Sequence, residues 1–262
     1  MFLFGSSAAE AAPSFVPDEG AQGWIADALA AVARLLGPVA QEPRWLAEPP
    51  RGVAPPGDLD GLFDFICGVQ SQVGQGDLEF TLAETVDGRP GVPAGFEAIG
   101  DPRGHLLHAF ARGEELALVV SPRIFKVRPL LLASVARELG RLGLHRARAG
   151  QELARFDAEA SAELTGIALG MGPWVVNGAY IFENSCCGGG CGVNLREVRA
   201  GLSLPEAGFA VALDARRKGL SRWTATRGLE ATQKAAVKAS WPSSERSLPA
   251  LAAGTSAQAL GR

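Results

Sequence analysis

The sequence predicts an α+β protein: a small antiparallel sheet packed with a mainly helical C-terminal half. Three observations carry this expectation. Leu78, Phe80 and Leu82 alternate with Glu79, Thr81 and Ala83, the period of a half-buried strand. Residues 105–111 and 115–120 are two further apolar runs, joined through Arg112-Gly113-Glu114 in the manner of a tight hairpin. From Pro129 onward apolar residues recur at helical spacing. With 262 residues, 47% of them hydrophobic, the chain can bury one substantial core.

Residues 1–17 are small, proline-bearing and without periodicity, and are expected to be a disordered lead. Asp18 is placed to cap a helix reaching Leu36, with Trp24, Ile25, Leu29 and Val32 along one side and Gly37-Pro38 to stop it. Too little chain precedes the proline-rich stretch 43–57 to form a domain, so this stretch is expected to be a strap held down by Trp45 and Leu46. A short helix over 59–69 carries Leu62, Phe63, Phe65 and Ile66. After the sheet, Pro129 suits the first turn of a long helix. Its wheel puts Leu131, Val135, Leu139 and Leu142 on one flank. Ala133, Ala136, Gly140 and Gly143 form a second, small enough for close backbone approach, and Arg137, Arg141 and His145 fill the rest, with Glu138 at the edge. A second helix is expected over 151–171 with Glu152, Glu159 and Glu163 on one stripe, then Pro173 as an interruption and a buried apolar segment over 174–182. A further helix over 205–217 buries Phe209, Val211 and Leu213. Serine, alanine, glycine and proline dominate beyond Trp241, so 241–262 is expected to be a disordered tail and 18–240 a single domain. There is no internal repeat.

Composition narrows the function classes. Lys and Arg number 25 against 28 Asp and Glu, which leaves no electrostatic footprint for nucleic acid. No apolar run is long enough for a bilayer, and Met1 to Gly5 lacks the basic region and apolar core of a signal peptide; the expected location is cytoplasmic, with no membrane partner. In that compartment Cys67, Cys186, Cys187 and Cys191 are not expected to form disulfides. Cys186-Cys187-Gly188-Gly189-Gly190-Cys191 lacks the paired spacing of a zinc ribbon. It reads as a glycine-rich surface loop, or alternatively as a metal clip or redox-active vicinal pair. The same glycines resemble an anion nest but lack the following Lys-Ser/Thr of a phosphate loop. His105 and His108, three apart on an expected strand, should point to opposite faces and are poor co-ligands.

The most informative stretch is Ala136-Arg137-Glu138-Leu139-Gly140-Arg141. A His-Glu-x-x-His helix places imidazoles at i and i+4, so that two nitrogens reach one zinc. Here Arg137 and Arg141 hold those places around Glu138. A guanidinium has no lone pair to give and keeps its proton in proteins, so it cannot ligate a metal. Further landmarks follow in order: 163–172 beginning Glu163-Leu164-Thr165-Gly166, 176–180 beginning Val176-Asn177-Gly178, and 201–213 beginning Gly201-Leu202-Ser203-Leu204-Pro205-Glu206. Over roughly 78–218 the chain resembles bacterial gluzincin-like zinc metallopeptidases with a degenerate His-Glu-x-x-His motif. The resemblance implies a zinc-metallopeptidase-like fold, histidines in relatives at the places of Arg137 and Arg141, and an aspartate where Gly166 stands. It also implies that Glu159 or Glu163 is the remnant of the glutamate that completes the zinc site.

The chemistry that would be lost is large. Zinc lowers the pKa of bound water from about 16 to about 7, on the order of 10 kcal/mol of nucleophile activation. Glu138 alone, as general base, offers roughly 3–5 kcal/mol and does not close that gap. The leading expectation is a catalytically inactive, metallopeptidase-like binding or scaffold protein without cofactor. Its partner would be a protein or peptide, or an anionic group held where Arg137, Arg141, Glu159 and Glu163 converge. The two stripes are equally ordinary as solvated helix faces, and the packing decides. The alternatives are an active metalloenzyme with ligands relocated to Cys186, Cys187, Cys191, His145 and acidic residues, and a structural role in a larger assembly.

Overall fold

Asp18 opens the first helix by accepting from the Ala21 N–H at 2.7 Å. Helix α1 (Glu19–Leu36) therefore begins where the sequence predicts, and Gly37, at φ +59°, ends it. The computed structural model describes residues 15–50, 56–85, 92–183 and 198–256. Most of the expected lead and Cys186, Cys187 and Cys191 lie outside the described residues. The short α2 (Pro38–Gln41) leads into the strap. There the Leu46 N–H donates to the Gly170 carbonyl at 2.8 Å, and the Trp45 ring lies against Gly172. Asp58 caps α3 (Leu59–Val73), which runs a turn further than predicted because Val69 and Val73 extend its buried face.

Four strands follow: β1 (Thr81–Glu84), β2 (Glu97–Ala98), β3 (Leu107–Arg112) and β4 (Glu115–Val120), in the order β1-β4-β3-β2. The predicted hairpin joins β3 to β4, with Arg112 opposite Glu115 and Gly113 at φ +62° in its two-residue turn. The sheet is mixed rather than antiparallel, since β1 runs parallel to β4. Alternation reports which side chains are buried, not the direction of the neighbouring strand, so the sequence was silent on this point. Leu107, Ala109, Leu116, Leu118 and Val120 face the helical core. Phe110, Ala117 and Val119 form a smaller cluster on the other face.

The helical half consists of α4 (Arg128–Arg146), α5 (Gly150–Leu153), α6 (Ala158–Gly166), α7 (Gly172–Glu183), α8 (Leu204–Arg217), α9 (Arg222–Ala225) and α10 (Ala231–Ser256). The stretch 151–171 is not one helix. Asp157 starts α6 afresh by accepting from the Ala160 N–H at 2.8 Å, and a widened turn over Ile167–Met171 ends with Gly170 at φ +99°. The break precedes Pro173, which sits in the first turn of α7 where its missing N–H costs nothing. Glu152 is consequently off the acidic stripe and pairs with Arg34 at 2.7 Å on the surface.

The C-terminal stretch also departs from expectation: α10 passes through Pro242 and Pro249 to Ser256. Its small residues serve close packing. Ser240, Ser243 and Ser244 are buried, and the Ser243 and Ser244 hydroxyls donate to carbonyls one turn back at 3.0 and 2.8 Å. Ala236 meets Gly208 of α8, and the Arg216 guanidinium covers the Trp241 ring at 4.5 Å. Among the described residues no helix is long and apolar enough to cross a membrane.

Helices α4 and α6 cross at near backbone contact. A β-carbon at Gly140 would collide with the Ala162 carbonyl oxygen, and one at Gly166 would come within 2.7 Å of the Ala136 oxygen. Gly140→Ala tests this crossing, because helix propensity alone predicts stabilisation by about 1 kcal/mol. Overpacking predicts the opposite sign, a loss of roughly 1–3 kcal/mol or more. Chemical denaturation is expected to show the loss; an unchanged or raised midpoint would refute the close approach.

Candidate functional site

The crossing of α4 and α6 encloses a cluster of ionisable groups. Glu138 is fully buried, and Arg137 and Arg141 are 1% and 4% exposed. The Glu138 carboxylate accepts from Arg137 Nε (Oε1, 2.9 Å) and from Arg141 Nε (Oε2, 2.9 Å). Oε2 also accepts the Ala109 N–H of β3 at 3.0 Å. That amide is available because β2 pairs with β3 only at Ala111 and Phe110.

Arg141 has no donor face to spare. Its Nη2 donates to Glu159 Oε2 at 2.7 Å and its Nη1 to the Ile99 carbonyl at 3.1 Å. Arg137 Nη1 donates to the Arg199 carbonyl at 3.1 Å and lies 4.0 Å from Glu163 Oε1, while its Nε is 3.8 Å from Glu159 Oε2. Glu163 accepts two backbone amides, Gly201 N–H at 3.0 Å and Leu202 N–H at 2.9 Å. Gly201 is required there, because a β-carbon would overlap the backbone of Glu159 and Ala160. The basic and acidic stripes therefore meet, and Arg137, Arg141, Glu159 and Glu163 share one buried volume. The two guanidinium groups point inward and pair with buried carboxylates, so they do not form the open positive lining expected of them. His145, the third member of the stripe, is exposed at the end of α4.

Sequence reasoning set aside two members. His105 precedes β3 instead of lying in it, so strand alternation does not apply, and its ring stacks on that of His108 with centroids 5.4 Å apart and planes 7° apart. His105 Nε2 lies 3.0 Å from Glu159 Oε2, though not aligned as a hydrogen bond, and His108 Nδ1 lies 3.9 Å from Glu138 Oε2. Gly104, at φ +77°, makes the turn that folds His105 back. That glycine, immediately before the histidine, was the signal available in the sequence. Among the described residues, Arg137 Nη2, Glu159 Oε1 and both His108 nitrogens are buried without a hydrogen-bond partner.

The electrostatics follow from counting charges in a dry site. Burial would raise the pKa of Glu138, but Arg141 and Arg137 outweigh it and hold the carboxyl below its ordinary value. For Glu159, burial is likewise outweighed, by His105 and Arg141, and its pKa falls to about 2. Those two carboxylates already balance the two arginines. A third negative charge has no counterion left, and burial pushes Glu163 up to about 7 against the pull of Arg137 and the two amides. Burial also lowers His108 to about 4, so its imidazole is neutral at pH 7.

No family model, curated protein or solved structure matches this chain. Among the described residues no group of three or more His, Cys, Asp or Glu is arranged to hold a metal ion.

Two outcomes test the cluster. Arg141→Ala and Glu159→Ala each leave buried charge uncompensated and are expected to cost about 3–5 kcal/mol. The double variant should recover roughly 1–3 kcal/mol of the summed loss. Strict additivity in a denaturation cycle would exclude a shared cluster. Stability should also depend on pH through three groups of differing sign: His108, lowered to about 4 from 6.5, contributes stability that is present above about 6.5 and lost as pH falls through 4. Glu159, depressed to about 2 from 4.5, contributes stability that is present above about 4.5 and lost as pH falls toward 2. Glu163, raised to about 7 from 4.5, contributes stability that is full below about 4.5 and lost as pH rises through 7, on the order of 3 kcal/mol. Because His108 opposes Glu163 over much of this range, Glu163→Gln is expected to make stability rise more steeply with pH between pH 5 and pH 8 than in the wild type; a variant with the wild-type profile would assign the dependence elsewhere.

Proposed function

We propose that this chain is a catalytically inactive, metallopeptidase-like protein with a binding or scaffold role. The observation that carries the reading is the Glu138 carboxylate. Both of its oxygens are taken by N–H donors from Arg137, Arg141 and Ala109 in a fully buried site. A general base must reach the proton that it abstracts, and a carboxylate with a depressed pKa and no free approach does not.

A zinc ion does not fit this donor set. Arg137 and Arg141 offer protons where lone pairs would be required, and Glu163 spends its oxygens on the Gly201 and Leu202 amides. The gluzincin likeness is supported by the order of sheet, α4 and α6, and by the convergence of Arg137 and Arg141 on Glu159 and Glu163 across the helix crossing. In this reading two guanidinium groups tie together the helices that a metal would otherwise join, and the role left to the protein is recognition.

Elemental analysis of protein purified without chelator is expected to find substoichiometric zinc and iron. Cleavage of a mixed peptide library should be no faster with wild type than with Glu138→Gln. Stoichiometric metal, or cleavage that disappears in Glu138→Gln, would overturn the reading, the former in favour of relocated ligands.

A further inference from the structure

A second feature lies on the other side of Arg141 from the cluster. The end of α4, helix α5 and the start of α6 enclose a cleft of about 700 Å³, within the range of roughly 300–1,000 Å³ for small-molecule sites. Ile99, Leu144, Leu153 and Phe156 supply its apolar walls. Among the described residues no aspartate or glutamate lines it, whereas Arg141, His145 and Arg148 do.

These three differ in what they can offer. Arg141 is committed to Glu138, Glu159 and the Ile99 carbonyl, and forms only wall. His145 is exposed at the cleft. Arg148 has a largely exposed guanidinium, with Glu114 at a long 3.4 Å and itself almost fully exposed, a pair too solvated to hold it. Arg148 is also the one non-glycine residue among the described residues held at positive φ, +52°. Glycine would adopt that backbone without strain, so an arginine there is retained at a conformational cost. The carbonyls that end α4 do not oppose an anion strongly, because those of Gly143, Leu144 and His145 already accept the Ala147, Ala149 and Arg148 N–H groups.

We infer that this cleft binds a soluble amphiphilic monocarboxylate, with its apolar tail laid along Leu144, Leu153 and Phe156 and its carboxylate received by Arg148 at the mouth. Guanidinium pairs with carboxylate through two parallel N–H donors, which suits this head group over a neutral or cationic one. The inference deepens the binding role proposed above by naming a ligand class. The cleft lies beyond Glu138 toward the C-terminal end of α4 and does not include it, so failure of the inference would leave the metal and cleavage measurements untouched.

The test is calorimetric titration of the full chain with hexanoate, octanoate and decanoate below their micelle concentrations. Each added methylene should tighten binding by about fourfold while the tail fits the walls. Decyl maltoside and decyltrimethylammonium share the tail of decanoate and should bind at least about tenfold more weakly, the worth of one charge-assisted pair. Arg148→Gly, which suits the observed φ and preserves the fold by circular dichroism, should weaken decanoate about tenfold and leave decyl maltoside unchanged. Ala154→Trp, an exposed wall position, should block both. The proposal is overturned by any of four results: affinity independent of chain length, decanoate bound equally by Arg148→Gly, equal affinity for the cationic analogue, or binding to anionic vesicles but not to monomeric decanoate.

Discussion

A carboxylate removed from water is tolerable only where fixed positive charge and N–H donors surround it, and Glu138 sets that condition at the centre of this fold. Its neighbours are chosen to meet it. Arg137 and Arg141 come from its own helix, and Ala109 comes from an edge of β3 that the two-residue β2 leaves uncovered. The arginines then need acceptors for their outer nitrogens, and these are Glu159 on α6 and the carbonyls of Ile99 and Arg199. One buried charge thereby ties the sheet, two helices and the segment before α8 into one network.

The network closes only because the backbones come close. Gly140 and Gly166 remove the side chains that would hold α4 and α6 apart, and Gly201 does the same for the segment that delivers two amides to Glu163. Small residues and long charged ones are thus parts of one design. The glycines set the distance across which Arg141 can reach Glu159, and the ion pairs fix the register at which the glycines meet. Such a cluster need not add much net stability over an apolar core, since desolvation offsets most of the Coulombic gain. It makes one packing arrangement much better than a shifted one.

Much of this was legible beforehand, for identifiable reasons. Asp18 and Asp58 as caps, Gly113 in the hairpin and Pro129 in the first turn of α4 act through their own backbone or their nearest neighbours, so the local sequence suffices. The small-residue flank of α4 also showed itself through spacing alone. The long-range features did not. Nothing local distinguishes β1 parallel to β4 from the antiparallel alternative, nor the serine-rich α10 packed on α8 from a solvated tail, because composition does not say whether a partner surface is waiting. His105 differs from its expected place for a related reason: a turn at Gly104 carries it out of the strand, and a glycine alone does not say which way the chain folds back.

By itself the sequence determined what the α4 positions can do chemically. Guanidinium is a donor without lone pairs, and no folding changes that. It also determined the starts of α1, α3 and α4, the β3–β4 hairpin and the flanks of α4 on which residues would lie. Whether Arg137 and Arg141 faced solvent, an open cleft or carboxylates was decided only by the crossing of α4 over α6, which buried them against Glu138 and Glu159. The physical reason is that the same amphipathic spacing suits a wet surface and a dry ionic core equally well, and only three-dimensional proximity sets the dielectric and the partners that tell them apart.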